Sequence, residues 1–151
     1  MRCCLKKKRF FPMSFRIIAV GLLKKGPEKD LIDHYLKQKN VFEIDEIDSR
    51  KFPTQADWQA EIEKKLSNNR GPVVFMDGTG KAFSSAELAH FVEDKQLAGA
   101  PDLTFVIGGA DGFETSFLKK HADLKLSLGR MTWPHMMARV MLVEQLYRAL
   151  Q

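Results

Sequence analysis

The sequence predicts a single-domain α/β fold, a mostly parallel sheet flanked by helices, on three observations. Short β-branched apolar runs recur along the chain, amphipathic stretches opened by capping residues lie between them, and glycines close several of the runs. Strands buried on both faces read as near-continuous apolar runs, whereas half-exposed strands alternate. Residues 15–20 (FRIIAV), closed by Gly21, are of the first kind and form the first predicted strand. A helix follows over 27–37, with Pro27 in its first turn and Leu31, Tyr35, Ile32 and Leu36 as its inward candidates. Residues 41–47 alternate and carry three acids, which predicts a more exposed strand near the sheet edge. Thr54-Gln55-Ala56-Asp57 has the form of a capping box with Asp in place of Glu, and opens a helix bearing Trp58, Ile62 and Leu66 at helical spacing. Gly71-Pro72 stops it, and 73–76 is the next buried strand.

The second half repeats this logic. Ser84-Ser85-Ala86-Glu87 is a second capping box, for a helix to about residue 96 with Leu88, Phe91 and Val92 facing the core. Residues 103–107 form the most apolar strand, 113–121 a short helix, 124–128 a fifth strand and 136–150 the last helix. That helix carries Met136, Met137, Val140, Met141, Leu142, Val143, Leu146, Tyr147 and Leu150, more than one stripe. A helix apolar nearly all round must be covered on two sides. The second cover is either another subunit, making a homodimer, or the rest of one monomer enclosing a central helix.

Composition excludes several classes. With 44% hydrophobic and 28% charged residues, the chain is too apolar for disorder and too charged for a membrane protein. No apolar stretch approaches the roughly 18 residues that span a bilayer. The net charge of +5 is matched by Arg2, Lys6, Lys7, Lys8 and Arg9 alone, and residues 13–151 are formally neutral. Net charge therefore gives no reason to invoke nucleic acid. Residues 1–12 form a basic extension, expected to be disordered or to reflect a start upstream of a true one at Met13; they lack the apolar core of a secretory signal. Both cysteines, Cys3 and Cys4, lie there side by side, with no C-x-x-C spacing, and the four histidines are scattered. Neither a disulfide framework nor a metal site is expected, which fits a reducing cytoplasm.

In open α/β sheets, ligands sit beyond the carboxyl ends of the strands. Three such ends are glycine-rich or irregular: 76–80 (MDGTG), 107–112 (IGGADG) and 128–135 (LGRMTWPH). The first is not a P-loop, because Phe75 and Ala82 stand where glycine and Ser/Thr are required. Nor is it a phosphoaspartate turn, because Phe75 occupies the nucleophile's place. The second is not G-x-G-x-x-G, which disfavours a dinucleotide fold. What survives is backbone chemistry: glycines let the main chain approach a ligand closely, although simple tight turns need glycine as well. The third end groups Arg130, Trp133, His135 and Arg139, two cations, an imidazole and a stacking surface, in a region (115–151) with six bases against two acids. An RNA or phosphate contact suits that grouping. Packing for Trp133, a helix N-terminus for His135 and a salt bridge for Arg139 are the plainer alternatives.

The segments FRIIAVG, VVFMDGTGKAFSSAELA, FVIGGADG and LSLGRMTWPHMMARVMLVEQLYRAL, in this order from residue 15 to 150, resemble the ribosomal large-subunit methyltransferase H family, small members of the SPOUT (α/β-knot) methyltransferases. The resemblance implies a homodimer, a trefoil knot in the C-terminal half, S-adenosylmethionine as cofactor, and methylation of N3 of a pseudouridine in large-subunit (23S) rRNA on the assembled ribosome. By matching position it makes Met76, Gly108, Leu126, Ser127, Leu128, Gly129, Arg130 and Met131 the cofactor-binding residues. The acceptor N3 must lose a proton, which calls for a base or a cation near it, and His135 and Arg139 are the candidates for catalysis. The resemblance has one departure. Family members continue past the last helix into a His-x-Tyr-His-Arg-like tail, whereas this sequence stops at Gln151. The runner-up expectation is accordingly a dimer of the same fold that binds cofactor or ribosome without turnover.

Overall fold

The computed structural model describes residues 13–151. The expectation of a disordered basic arm, with Cys3 and Cys4 in it, falls on residues 1–12 and lies outside them. Strands and helices alternate: β1 (Ser14–Val20), α1 (Pro27–Gln38), β2 (Phe42–Ile47), α2 (Gln55–Leu66), β3 (Val73–Ala82), α3 (Ser85–Leu97), β4 (Asp102–Ile107), α4 (Thr115–His121), β5 (Leu124–Ser127) and α5 (His135–Ala149). The five strands form one sheet in the order β2-β1-β4-β3-β5, and every pairing is parallel. The α/β class and the edge position of the acidic second strand hold.

Strand alternation sends successive residues to opposite faces, and both faces are covered. Phe15, Ile17 and Ala19 of β1 join Phe105, Leu88 of α3, and Leu142 and Leu146 of α5 in one core. Ile18 and Val20 join Phe75, Val106, Trp58 and Ile62 of α2, and Leu118 of α4 in the other. The result is three layers, with α1, α3 and α5 on one side of the sheet and α2 and α4 on the other. No helix among the described residues is long and apolar enough to cross a membrane.

Local chemistry sets the helix starts. Thr54 Oγ1 accepts from the Asp57 N–H at 3.1 Å and Asp57 returns the bond to the Thr54 N–H at 3.3 Å, so the capping box is complete. At Ser84 only half of the expected box forms: its Oγ accepts from the Glu87 N–H, with no returning bond from Glu87 among the described residues. In α1 the inward face is turned by one position, about 100°. Ile32 is 2% exposed, whereas Leu31, expected inside, is 46% exposed.

The largest departure is β3, which runs on from Met76 to Ala82. Met76 and Lys81 both register with Leu126, so residues 77–80 are extra on one strand and bulge out of the ladder. Gly80 makes the rejoining possible: a Cβ there would lie 2.5 Å from the Lys125 carbonyl carbon. Period-2 patterning cannot reveal such a strand, because the bulge breaks the alternation.

From β5 at the sheet edge, the chain returns across the carboxyl ends of the strands to α5, which packs on α1 and α3. Val140, Leu142, Val143 and Leu146 are buried in the monomer, while Met136, Met137, Met141 and Tyr147 stay partly exposed.

Phe75 is fully buried, 4.9 Å centroid to centroid from Phe113 and 5.8 Å from Phe117 in edge-on contacts. Replacing it by alanine, Phe75→Ala, is expected to cost about 3–5 kcal/mol in urea unfolding, because ring and cavity terms add.

Candidate functional site

Because β4, β3 and β5 are adjacent and parallel, their carboxyl ends open side by side. The segments that follow them enclose a cleft of about 480 Å³, lined by Met76 to Gly78, Ile107 to Gly109, Gly112, Phe113, Leu126 to Trp133, His135 and Ala138. All eight residues assigned to cofactor binding by resemblance are among them: Met76, Gly108, Leu126, Ser127, Leu128, Gly129, Arg130 and Met131. Three loops with no common motif in sequence are thus one place in space.

Each loop is fixed by identifiable bonds. Asp77 Oδ1 accepts from both the Thr79 N–H (2.8 Å) and the Thr79 hydroxyl (2.6 Å), closing the bulge as an Asx turn. The loop after β4 turns at Gly112, whose φ is +68° and whose N–H donates to Gly109 O at 3.1 Å. Gly108 is pressed against Phe113: a Cβ there would come 2.8 Å from the ring. In the third loop Gly129, at φ +117°, donates to Ser127 Oγ (3.1 Å) while that hydroxyl donates back to Gly129 O (2.9 Å). The Ser127 hydroxyl, on a residue that the resemblance assigns to cofactor binding, thus shapes the loop itself.

Two supports were not legible in the sequence. Gln55 Nε2 donates to Gly112 O at 2.8 Å, and the Glu114 N–H donates to Gln59 Oε1 at 2.9 Å. The first two turns of α2 thereby hold the glycine loop from behind. The only signal was a pair of amides four residues apart beside Trp58 on an otherwise apolar face, a pattern that any solvated helix flank also shows.

The two candidates for catalysis separate. His135, the first residue of α5, borders the cleft. Arg139, one turn on, does not: its side chain is fully buried behind it. Arg139 Nη2 donates to the Gly21 carbonyl at 2.9 Å, and Nη1 to Glu46 Oε2 at 3.0 Å. Glu46 Oε2 also accepts from the Leu23 N–H. Arg139 thus lies off the cleft: an i,i+4 spacing puts it on His135's side of the helix but one turn deeper, where β1 and β2 end. Gly21, at φ +103°, accommodates the imidazole, since a Cβ there would lie 3.2 Å from His135 Cε1. Burial and the Arg139 charge hold the His135 pKa below the ordinary histidine value.

Half of the local excess of positive charge after residue 115 is matched by acids from elsewhere, Glu63 and Glu46. Lys120 pairs with Glu63, Arg139 with Glu46 and Arg148 with Glu144. Among the described residues Lys119, Lys125 and Arg130 carry no ion pair, and Arg130 is exposed on the cleft wall. Met131 (76% exposed) and Trp133 (41%) form an apolar rim beside it. No group of three or more His, Cys, Asp or Glu placed to hold a metal occurs among the described residues.

A lowered histidine pKa has a definite sign. Below about 6.5 the unfolded chain takes up a proton at His135 that the folded chain refuses, so stability falls on acidification through that range. Urea unfolding at a series of pH values should show this slope, and His135→Gln should flatten it. A second outcome concerns packing: Gly108→Ala must displace the Phe113 ring and is expected to cost about 1–3 kcal/mol.

The family model described as "Predicted SPOUT methyltransferase" matches residues 13–151. Curated relatives named "Ribosomal RNA large subunit methyltransferase H" include one from Allorhizobium ampelinum, 43% identical over 150 residues, covering 91% of this chain and 92% of the relative. Those from Dinoroseobacter shibae and Carboxydothermus hydrogenoformans are each 38% identical, cover 91% of this chain, and are themselves covered to 92% and 93%.

Proposed function

This chain belongs to the SPOUT methyltransferase family, and we propose that it methylates N3 of a pseudouridine in large-subunit rRNA on the assembled ribosome, with S-adenosylmethionine as methyl donor. The observation that carries the reading is the convergence of the three loops on one cleft, with His135 at its border. The relatives' printed names support ribosomal RNA as the substrate class. Such a substrate places the protein in the cytoplasm, where ribosomes are.

The cleft suits the cofactor. Its volume of about 480 Å³ lies in the range of small-ligand sites, and its lining mixes apolar side chains with closely approachable backbone. Met76, Leu126, Leu128 and Met131 offer apolar contact to a nucleoside and a thioether chain, while Gly108 brings main chain to the cleft wall for polar contacts. Ser127 keeps the Gly129 turn in shape, and Arg130 stands on the wall as an unpaired cation for a carboxylate or phosphate. When bound, S-adenosylmethionine supplies an electrophilic methyl group on a sulfonium sulfur. Met76, Leu126, Leu128 and Met131 would hold that donor so that its methyl could be exchanged for the N3 proton, which would leave to water.

Alignment supplies most of the rate in such a displacement, so the protein's task is to hold two partners and to stabilise charge at the acceptor. His135 is the side chain placed for the second part. Arg139 is a positioning residue: it ties the second turn of α5 to the ends of β1 and β2 and thereby fixes where His135 stands. Trp133 offers a stacking surface at the rim for a splayed-out base.

The proposal includes a homodimer and a knotted C-terminal half. Partly exposed Met136, Met137, Met141 and Tyr147, with the Met131–Trp133 rim, support a second copy covering α5. The return of the chain from β5 across the strand ends to α5 is the feature on which a knot would be built.

The test is transfer of labelled methyl from S-adenosylmethionine to assembled ribosomes, with the product nucleoside identified by mass spectrometry. N3-methylpseudouridine is expected; a different nucleoside, or methylation of free rRNA only, overturns the stated substrate. In a calorimetric titration with S-adenosylmethionine, Gly129→Val should weaken binding at least tenfold, since a β-branched residue is strained at φ +117° and the loop must change its backbone to relieve it.

A further inference from the structure

We infer that His135 presents a protonated Nε2 to the cleft, and so serves as a hydrogen-bond donor to an oxygen of the acceptor base and not as the base that removes its proton. The inference rests on the methyltransferase reading and deepens it, by assigning a hydrogen to one atom and a role to that atom.

The argument starts from two buried atoms that have no hydrogen-bond partner among the described residues, His135 Nδ1 and Arg139 Nε. They sit in one corner, one helical turn apart, beside Gly21. Arg139 Nε can only donate. Its other nitrogens are committed to Gly21 O and Glu46, which fix the guanidinium as a permanent cation at the inner side of the imidazole. In a neutral imidazole one nitrogen carries the hydrogen and the other a lone pair. A hydrogen on Nδ1 would be a buried donor without an acceptor, facing a positive charge. A lone pair on Nδ1 faces that charge favourably. The buried environment therefore selects the tautomer with its hydrogen on Nε2. Nε2 is absent from the buried, unpartnered atoms, and His135 borders the cleft, so this N–H is the edge of the ring that a ligand meets. The same burial and charge disfavour the imidazolium, which keeps the ring in this single neutral form.

The chemical consequence follows from the acceptor. When an N–H flanked by two carbonyls loses its proton, negative charge spreads onto both oxygens. A fixed N–H aimed at one of them favours the anion more than the neutral base, which is the pattern of electrostatic catalysis. Nε2 already carries a hydrogen and has no lone pair for the N3 proton. That proton leaves to water through the open cleft. Glu46 and Gly21 enter as positioning groups: Glu46 balances the Arg139 charge, and Gly21 both receives Arg139 and leaves room for the ring.

Long-range ¹H–¹⁵N correlation spectra of the ligand-free protein labelled at histidine, with His135 assigned by its loss in His135→Gln, read the tautomer directly. The Nε2–H form is expected at neutral pH; an Nδ1–H form or an imidazolium overturns the inference. Methylation of ribosomes supplies the second readout. A glutamine amide nitrogen reaches the place of Nε2, and an asparagine amide the place of Nδ1. His135→Gln should keep most of the kcat, whereas His135→Asn and His135→Ala should lose about 100-fold or more, as when an oxyanion donor is removed. Equal activity of the Gln and Asn variants, or an unimpaired Ala variant, also overturns it. If the wild-type protein methylates no ribosome, the function reading fails while the spectra still decide the tautomer.

Discussion

A full positive charge buried behind the cleft is the constraint on which the rest of this structure depends. Arg139 has no exposed side-chain surface, and its charge is answered by Glu46 and the carbonyl of Gly21. Glu46 is itself partly exposed, so the pair adds little net stability. Its value lies in geometry. It joins three elements: the second turn of α5, the end of β1 and the edge strand β2. Apolar packing of Leu142, Val143 and Leu146 presses α5 onto the sheet, but such packing is non-directional. The charge pair sets where along the sheet the helix begins, and with it where the loop after β5 must end.

The cleft is built mainly from backbone, and the strand order explains how. Parallel strands deliver all their carboxyl ends to one side, and the neighbouring positions of β4, β3 and β5 bring three successive loops together. Glycines with positive φ or with a packed neighbour shape these loops, while side chains nearby brace each loop within itself or against α2. Ser127, Asp77, Gln55 and Gln59 all spend polar atoms on main-chain groups. The floor of the site is thereby made rigid by fixed bonds, which suits a reaction that gains its rate from alignment.

Charge on this protein means something different at each level. The chain's +5 equals the charge of the segment before residue 13, and half of the local excess after residue 115 is offset by Glu63 and Glu46, which lie far off in sequence. The unpaired Arg130 on the cleft wall is a small part of the total, yet it is the part with a place to act.

The α/β class, the edge position of 42–47, the Thr54 capping box and the three irregular strand ends that line the cleft were legible in sequence, because each rests on interactions a few residues apart: hydrophobic period, caps and glycine turns. The family's motifs were legible too, from residue 15 to the end of the last helix. Other features needed the tertiary structure. Leu31 and Ile32 are neighbours of equal hydrophobicity, so only the packing of α1 decides which is inside. The continuation of β3 to Ala82 depends on Leu126 of a strand some forty residues later pairing twice. Arg139 is buried off the cleft, because its charge is answered by Gly21 and Glu46, more than ninety residues away. Sequence determined which short-range structures could form and which loops could face a ligand. Only the fold decided which side chains reach it, because burial and charge pairing are properties of residues brought together from distant parts of the chain.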